Sequence, residues 1–546
     1  MACKSFFSTF KALLHFFSLI LHRRLRNPPS SLHRKVSSLK FQRFPSLARN
    51  RSDELSNQTI IFDVEGALLR SSSLFPYFML VAFEAGGLLR ALVLLLFYPF
   101  MYFMVSEEMG LNLMVMVCFL GIKRESFRVG RTVLPKFFLE DVGLEGFEVL
   151  MRFGRKVGIS CLPTVMVEGF LRDYLGVDCI VGRELKVFHG YCLGLMEEKN
   201  MINGGVLEVL ENQTEMGCDV VVFGSFNNKC YDHHKLFSYC KKENVYLVSE
   251  TEKRNWHELP KVQYPKPLIF HDGRLAFKPT PLATLAMFIW VPFGFFLAIF
   301  RSLVAILLPY KIMIPILTFS GMRLQLSSST PITSTVTSKQ DPKVKGLLYV
   351  CNHRTLLDPL YLSVAMRKPL TAVTYSLSRV SEVLSPIRTV RLTRDRDQDA
   401  KMMEKMLLEG DLVVCPEGTT CREPYLLRFS PLFAEMSDEI VPVAMDVQVT
   451  MFYGTTASGF KCLDPLFFLM NPCPTYQVQF LEKVSGSSTC HDGAESISRF
   501  DVANHVQKEL GRVLGFECTK LTRKDKYMIL AGNEGNVTSS PKHKII

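Results

Sequence analysis

No acidic residue precedes Asp53, and nowhere among the 546 residues do two of the fifteen cysteines stand as C-x-x-C. Eleven lysines and arginines, Lys4 through Arg51, occupy the acid-free segment, and the rest of the chain carries 53 basic against 52 acidic residues. The formal charge of +12 thus belongs to one end, and a nearly neutral body excludes the broad basic face that nucleic-acid binding needs. Without paired cysteines there is no zinc site and no disulfide framework to expect; scattered thiols in so long a chain read as reduced side chains facing a cytosolic compartment. No internal repeat of useful length is present. What the chain has in quantity is apolar surface, 48% of its residues, which excludes a disordered protein and leaves room for about three or four domains at roughly 150 residues each.

Residues 1–54 read as a basic targeting or membrane-surface segment. The aromatic and leucine-rich run from Phe6 to Leu21 is interrupted by Lys11 and His15 and leads into His22, Arg23, Arg24 and Arg26. A mitochondrial transit peptide, a signal anchor and an interfacial helix all fit it. The clearest transmembrane candidate is Leu282 to Phe300, nineteen residues without a charge that carry Trp290 and lead to Arg301. Apolar residues continue to Leu308, and Pro292 and Pro309 point to a kinked or re-entrant hairpin over 273–326, or to a monotopic insertion. Earlier, within 76–122, Leu88 to Val105 and Leu111 to Ile122 are apolar helical stretches, the first flawed by Arg90 and the second short for a span. They either dock on a membrane or pack in a core. A Ser/Thr-rich stretch from Ser327 to Gln340 predicts a linker at 327–342. Beyond it, short β-rich runs (Leu347 to Cys351, Ala372 to Tyr375, Leu412 to Cys415, Ile440 to Ala444) alternate with helical stretches such as Asp397 to Leu408. That alternation predicts an α/β domain over 343–520 and leaves 521–546 as a tail.

The run Leu347 to Cys351 leads directly into Asn352-His353-Arg354-Thr355-Leu356-Leu357-Asp358-Pro359. A hydroxyl attacks a thioester efficiently only as it loses its proton, and histidine is the usual base because its pKa lies near working pH. An acid that fixes the imidazole tautomer completes such a pair. No G-x-S-x-G elbow stands nearby, and a His and Asp here could activate an acceptor hydroxyl directly, without an enzyme serine. The alternative for Asp358-Pro359 is a helix cap followed by a first-turn proline. A five-residue spacing does not align two side chains on one helix face, so His353 belongs in the loop with Asp358 turned back toward it.

Three more blocks follow: Ile387 to Arg394; Val413-Val414-Cys415-Pro416-Glu417-Gly418-Thr419-Thr420-Cys421-Arg422; and Ile440-Val441-Pro442-Val443-Ala444. In this order the four blocks resemble the glycerolipid acyltransferases, and more closely the land-plant glycerol-3-phosphate acyltransferases. The closer match runs from about Leu268 through the segments Leu514 to Cys518 and Arg523 to Tyr527, and with a weaker upstream match the resemblance covers nearly the whole chain beyond residue 55. The resemblance implies a membrane enzyme that moves a fatty acyl group from an acyl-coenzyme A or carrier-protein thioester to a hydroxyl of glycerol 3-phosphate, giving lysophosphatidic acid for glycerolipid or extracellular lipid polyester synthesis. It implies the endoplasmic reticulum, with a mitochondrial membrane as the alternative, and no cofactor for acyl transfer. It makes His353 the base, Asp358 its orienting partner and Arg394 the phosphate holder. Glu417 would bind acceptor hydroxyls, while Gly418 and Thr419 allow close backbone approach of a phosphate or oxyanion. Arg422 is a secondary anion candidate, because the broader family often carries Arg where this chain has Thr420. The Pro442 block implies packing along the acyl path.

In the N-terminal half, Thr59-Ile60-Ile61-Phe62-Asp63-Val64-Glu65-Gly66 reads as a buried strand ending in an acidic loop, and resembles the first motif of haloacid-dehalogenase-like phosphatases. Those enzymes use Asp-x-Asp as nucleophile and general acid around magnesium. Here the second acid is Glu65; Ser160 and Lys199 match the second and third motifs, and Ser225 stands where an acid is wanted, with Asp232 the nearest substitute. The implied fold is α/β throughout: a haloacid-dehalogenase-like domain over 55–272, membrane-inserted helical segments, and a C-terminal acyltransferase domain. The first domain is expected to be a relic that binds no functional magnesium. A bifunctional acyltransferase/phosphatase giving monoacylglycerol, and a non-catalytic membrane scaffold, are the alternatives.

Overall fold

A computed structural model describes residues 42–44, 47, 55–104, 106–197, 220–225, 244–328, 346–374, 379–393, 395–437, 439–485 and 498–533. The chain forms two compact units, Met1–Pro267 with Pro279–Pro281, and Leu268–Lys278 with Leu282–Ile546.

The first unit is built on strands β1 (Gln42–Arg43), β2 (Thr59–Asp63), β3 (Arg155–Pro163), β4 (Cys179–Arg183), β7 (Val220–Ser225) and β8 (Val245–Val248), with a β5–β6 hairpin (Leu185–Phe188, Tyr191–Met196) beside them. Six of these make a parallel sheet in the order β1-β8-β7-β2-β3-β4. All five residues of β2 are buried, as in a central parallel strand covered on both faces. Helix α1 (Phe75–Met104) is broken at Gly87, whose φ of +79° lies outside the helical region. Before the break Phe75 to Phe83 are buried in the core; after it Leu89, Leu96, Phe97 and Phe100 are exposed. Helix α2 (Glu107–Phe119) packs back on α1. The charge that flawed the apolar run holds this pair together: Arg90 donates to the carbonyls of Cys118 (2.6 Å) and Leu120 (2.9 Å). Helix α3 (Thr164–Asp173) follows β3.

The second unit carries helices α4 (Pro281–Leu307) and α5 (Tyr310–Phe319), then β9 (Arg323–Ser328), β10 (Leu348–Cys351), α6 (Asp358–Met366), β11 (Thr371–Thr374), β12 (Arg388–Arg391), α7 (Arg396–Glu409), β13 (Leu412–Val414), β14 (Tyr425–Leu426), β15 (Glu439–Gln448), β16 (Thr475–Phe480), β17 (Val484–Ser485), α8 (Arg499–Leu514), β18 (Glu517–Cys518) and α9 (Arg523–Leu530). Its main sheet runs β12-β11-β13-β10-β15-β16-β9, with β17 also on β15. Only the pairings of β15 with β16 and β17 are antiparallel. Pro442 lies in the middle of β15, where a proline normally breaks a central ladder. It is tolerated because it falls between the stretch paired to β17 (Glu439, Ile440) and the stretch paired to β16 (Val443 onward).

Four sequence boundaries need correction. The phosphatase-like domain does not run to 272, because Leu268–Lys278 belongs to the second unit, where Asp272 accepts the amides of Ala457 and Ser458 at 3.0 and 3.1 Å. The helical hairpin ends at Phe319 rather than 326, and the linker does not begin at 327, because Arg323–Ser328 is a strand paired in parallel with β16; residues 329–342 lie outside the described residues. Pro292 leaves α4 unbroken. The tail from 521 contains α9, which buries Tyr527 and Leu530 against Phe270, Cys421 and Leu427.

Helix α4 is apolar all round, and its mean hydropathy of 2.2 and length of 27 residues suit a membrane span. One face is nevertheless packed on its own unit: Thr284, Met287, Gly294, Ala298, Arg301 and Val304 are buried. Trp290 donates to the Met470 carbonyl at 2.8 Å. Arg301 is fully buried and donates to the carbonyls of Leu469 (2.7 Å), Asn471 (2.6 Å), Pro472 (3.0 Å) and Ser320. The opposite face exposes Leu282, Leu285, Ile289, Phe293, Phe296, Leu303 and Leu307.

Candidate active site

Two loops leave the C-terminal ends of neighbouring parallel strands, the place where open α/β sheets bind ligands. The first follows β10. Buried Asn352 fixes it by exchanging hydrogen bonds with the Met445 backbone on β15, both 2.8 Å. His353 follows, and Asp358 opens α6. Asp358 does not cap that helix. Its side chain turns back, as the spacing required, and accepts the amides of Arg354 (2.6 Å) and Thr355 (2.9 Å), the Tyr476 hydroxyl (2.9 Å) and His353 Nδ1 (2.9 Å). A fully buried carboxylate with this many donors is held in one orientation. It selects the tautomer that leaves His353 Nε2 as a base. Thr355 bonds in turn to Tyr476, whose ring stacks on Tyr361 at 3.6 Å.

Burial works against an imidazolium at His353. The neighbouring Cys415 sulfur and the bonded Asp358 carboxylate work for it, and the balance lies well above the ordinary imidazole range. Of the two, Asp358 is the lasting cause, because its bond to Cys351 (sulfurs 3.5 Å apart) and burial hold the Cys415 thiol neutral.

The second loop follows β13. Glu417 is buried there, and its two oxygens accept the amides of His353 (2.7 Å) and Leu427 (2.9 Å). Burial raises its pKa to about 7. Its carboxylate therefore ties the two loops together in this structure, where the sequence pattern had given it acceptor hydroxyls. Gly418 has φ +65°, a conformation that suits glycine. The Cys421 amide donates to the His353 carbonyl at 2.8 Å, so both loops meet at the histidine. Thr419 is buried beside them. Arg422 donates to Thr455 and lies 3.7 Å from Asp272 and 4.3 Å from the Tyr453 ring. Arg394 lies outside the described residues.

Three contributors were missed from sequence. Tyr476 holds Asp358 from 118 residues away, and only the alternation of its strand marked it as inward-facing. Arg354 crosses between the loops, donating to the carbonyls of Cys421 (2.9 Å) and Glu423 (2.8 Å) and pairing with Asp446 (3.0 Å). Lys526, in the supposed tail, reaches Thr419 and Thr420.

In the first unit, Asp63 ends β2 and accepts the Gly66 amide at 2.9 Å. A Cβ on Gly66 would stand 2.1 Å from Asp63 Oδ2 and 3.1 Å from Ser225 Cβ, which places Ser225 across the same turn. Glu65 faces the interior, accepting from the Ser160 hydroxyl and, at 3.3 Å, the Cys161 amide. Burial, then the nearby Asp63, push its pKa up to about 7. Lys199 and Asp232 lie outside the described residues. The buried ammonium found here is that of Lys253, which donates to the Glu65 carbonyl (3.1 Å) and pairs with Glu250 (3.0 Å).

Residues 59–248 match the model of the haloacid-dehalogenase-like domain of RAM2-like glycerol-3-phosphate acyltransferases, and residues 334–446 match the acyltransferase model. Among curated proteins, the probable glycerol-3-phosphate acyltransferase 3 of Arabidopsis thaliana is 57% identical, over 97% of this chain and 98% of its own. The chain belongs to the plant glycerol-3-phosphate acyltransferase family. The probable glycerol-3-phosphate acyltransferase 2 of the same plant is 54% identical over the same shares, and the RAM2 glycerol-3-phosphate acyltransferase of Petunia hybrida is 42% identical over 88% of this chain and 98% of its own. Within this family, the first unit carries the haloacid-dehalogenase-like domain and the second the acyltransferase domain, so the α/β class expected for both halves holds.

Proposed function

We propose that this protein is a glycerol-3-phosphate acyltransferase in which His353 Nε2 takes the proton from an acceptor hydroxyl as the oxygen attacks the carbonyl of an acyl thioester. A tetrahedral oxyanion forms, collapses to the ester, and expels the thiolate, which recovers the proton from His353. Asp358 orients the ring and stabilises its charge. The product keeps its phosphate and is lysophosphatidic acid. The observation that carries this reading is the His353–Asp358 pair, locked by Tyr476 and two amides.

The haloacid-dehalogenase-like domain has, in this reading, no phosphatase activity of its own, because Glu65 is turned to Ser160 and Ser225 offers a hydroxyl in place of a carboxylate. Membrane association is monotopic: α4 keeps one face on its own unit and lays the other in the lipid. The cytosolic leaflet of the endoplasmic reticulum is the compartment that reduced cysteines favour.

The test is product analysis. Membranes holding the protein receive labelled glycerol 3-phosphate and a panel of acyl-coenzyme A thioesters, and the products are separated by phosphate content and acyl position. Labelled lysophosphatidic acid that depends on the protein is expected. Its absence across the panel removes the assignment.

A further inference from the structure

Helix α9 places a charged group beneath the loop that follows β13. Lys526 is 7% exposed, and its ammonium donates to the Thr420 carbonyl (2.5 Å), Thr420 Oγ1 (3.1 Å) and Thr419 Oγ1 (3.4 Å). Among the described residues no carboxylate lies within 4.0 Å of it. The charge of Asp272 reaches it from beyond contact distance, but that carboxylate is already 3.7 Å from Arg422. A buried cation with no carboxylate in contact is costly, and burial does push the Lys526 pKa down.

The same loop has a surplus of donors. Among the described residues no acceptor meets the amide of Thr419 or of Thr420. They follow Gly418 at φ +65°, a backbone turn of the kind from which anion-binding nests are built. An ammonium, two hydroxyls and two unclaimed amides converge on one loop, and the next amide, that of Cys421, holds the His353 carbonyl at 2.8 Å. The ligand such a group lacks is an anion, held one residue from the segment that carries the base.

We propose that Lys526, with the hydroxyls and amides of Thr419 and Thr420, receives the phosphate monoester of the acceptor. The assignment rests on the reading that the acceptor is glycerol 3-phosphate. It adds a substrate-binding residue from a helix outside the four sequence blocks. The ammonium keeps its short bond to the Thr420 carbonyl and exchanges the two longer hydroxyl bonds for phosphate oxygens. The freed hydroxyls then donate to the same group, and the dianion brings a negative charge into direct contact with the ammonium.

The experiment uses full-length protein in membranes, with Lys526→Met, Lys526→Arg and Thr420→Val compared with the parent. A charged hydrogen bond of this kind corresponds to about ten- to a hundredfold in affinity. For Lys526→Met the KM for glycerol 3-phosphate should therefore rise at least about tenfold, while that for acyl-coenzyme A stays within about twofold. Inorganic phosphate should compete with glycerol 3-phosphate in the parent and lose that effect in Lys526→Met. Lys526→Arg should restore most of the affinity. An unchanged KM and retained phosphate inhibition would overturn the proposal, as would a fall in kcat with both KM values unmoved, the signature of a merely structural lysine. Should Lys526→Met not accumulate, Thr420→Val decides by the same readout: a raised KM supports the site, and a parental one overturns it. A parent protein that acylates no glycerol 3-phosphate fails earlier, and refutes the function rather than the site.

Discussion

Asp358 is fully buried and accepts the amides of Arg354 and Thr355, the Tyr476 hydroxyl and His353 Nδ1, so its side chain is fixed in place beside His353 before any substrate arrives. Replacing His353 by Ala should lower turnover by at least the roughly hundredfold expected for a lost general base, with membrane association unchanged. Turnover like the parent's would remove the central claim. A pH dependence follows from the same pair. His353 acts as base only when neutral, and its pKa lies above the ordinary imidazole range in the folded protein. Its active form is thus scarce below neutrality and grows as pH rises through that elevated value. Plotted against pH, kcat/KM should climb on a limb displaced to the alkaline side of an ordinary histidine; a limb at ordinary imidazole pH would mean that burial offsets the Asp358 carboxylate. The His353–Asp358 contact was legible from sequence because the two residues and the strand before them are local. Asn352, Tyr476 and Lys526 were not, since their partners lie 93, 118 and 106 residues away. Nothing in a linear pattern marks which distant hydroxyl or ammonium will arrive.

At the scale of elements, alternating apolar runs located β10, β11, β13 and β15, because a covered strand must be apolar whatever its neighbours are. Edges were misread where pairing rather than hydrophobicity decides. The serines that end β9 read as linker, yet they complete a ladder with β16. Helix α9 read as tail because Arg523, Lys524, Asp525 and Lys526 make its first turn polar. Its Thr522–Asp525 capping box and the apolar pair Tyr527 and Leu530 are the signals that mark it as a packed helix. Ending the chain at Lys520 should therefore abolish acyl transfer. It removes two buried side chains worth about 2 to 5 kcal/mol each, and takes Lys526 from Thr419 and Thr420. Thermal melting of the second unit and product formation would both report it. A truncated protein with parental melting and activity would show α9 to be dispensable.

At the scale of the whole molecule, one chain joins a haloacid-dehalogenase-like unit to an acyltransferase unit whose product is the kind of phosphate monoester that phosphatases of that fold consume. A functional first unit would turn lysophosphatidic acid into monoacylglycerol, so the state of one site decides the product of the chain. Asp63 keeps the place of the nucleophile, yet the oxygens of the neighbouring Glu65 are taken by Ser160 and Cys161. Ser225 lies across the turn where a carboxylate ligand is wanted. Glu65 is one methylene longer than the second aspartate of that motif, and displacements of about half an ångström matter at such sites. Purified protein supplied with magnesium and lysophosphatidic acid should therefore release no phosphate above the background of an Asp63→Asn control. Substituting Glu65→Asp together with Ser225→Asp restores the two missing groups in the least disruptive way, and phosphate release gained by that variant would identify these positions as the ones that silence the unit. The decisive comparison is the unmodified chain against Asp63→Asn. Phosphate release that the substitution abolishes would establish a working aspartyl nucleophile, and the monoacylglycerol it implies would replace lysophosphatidic acid as the product of the protein.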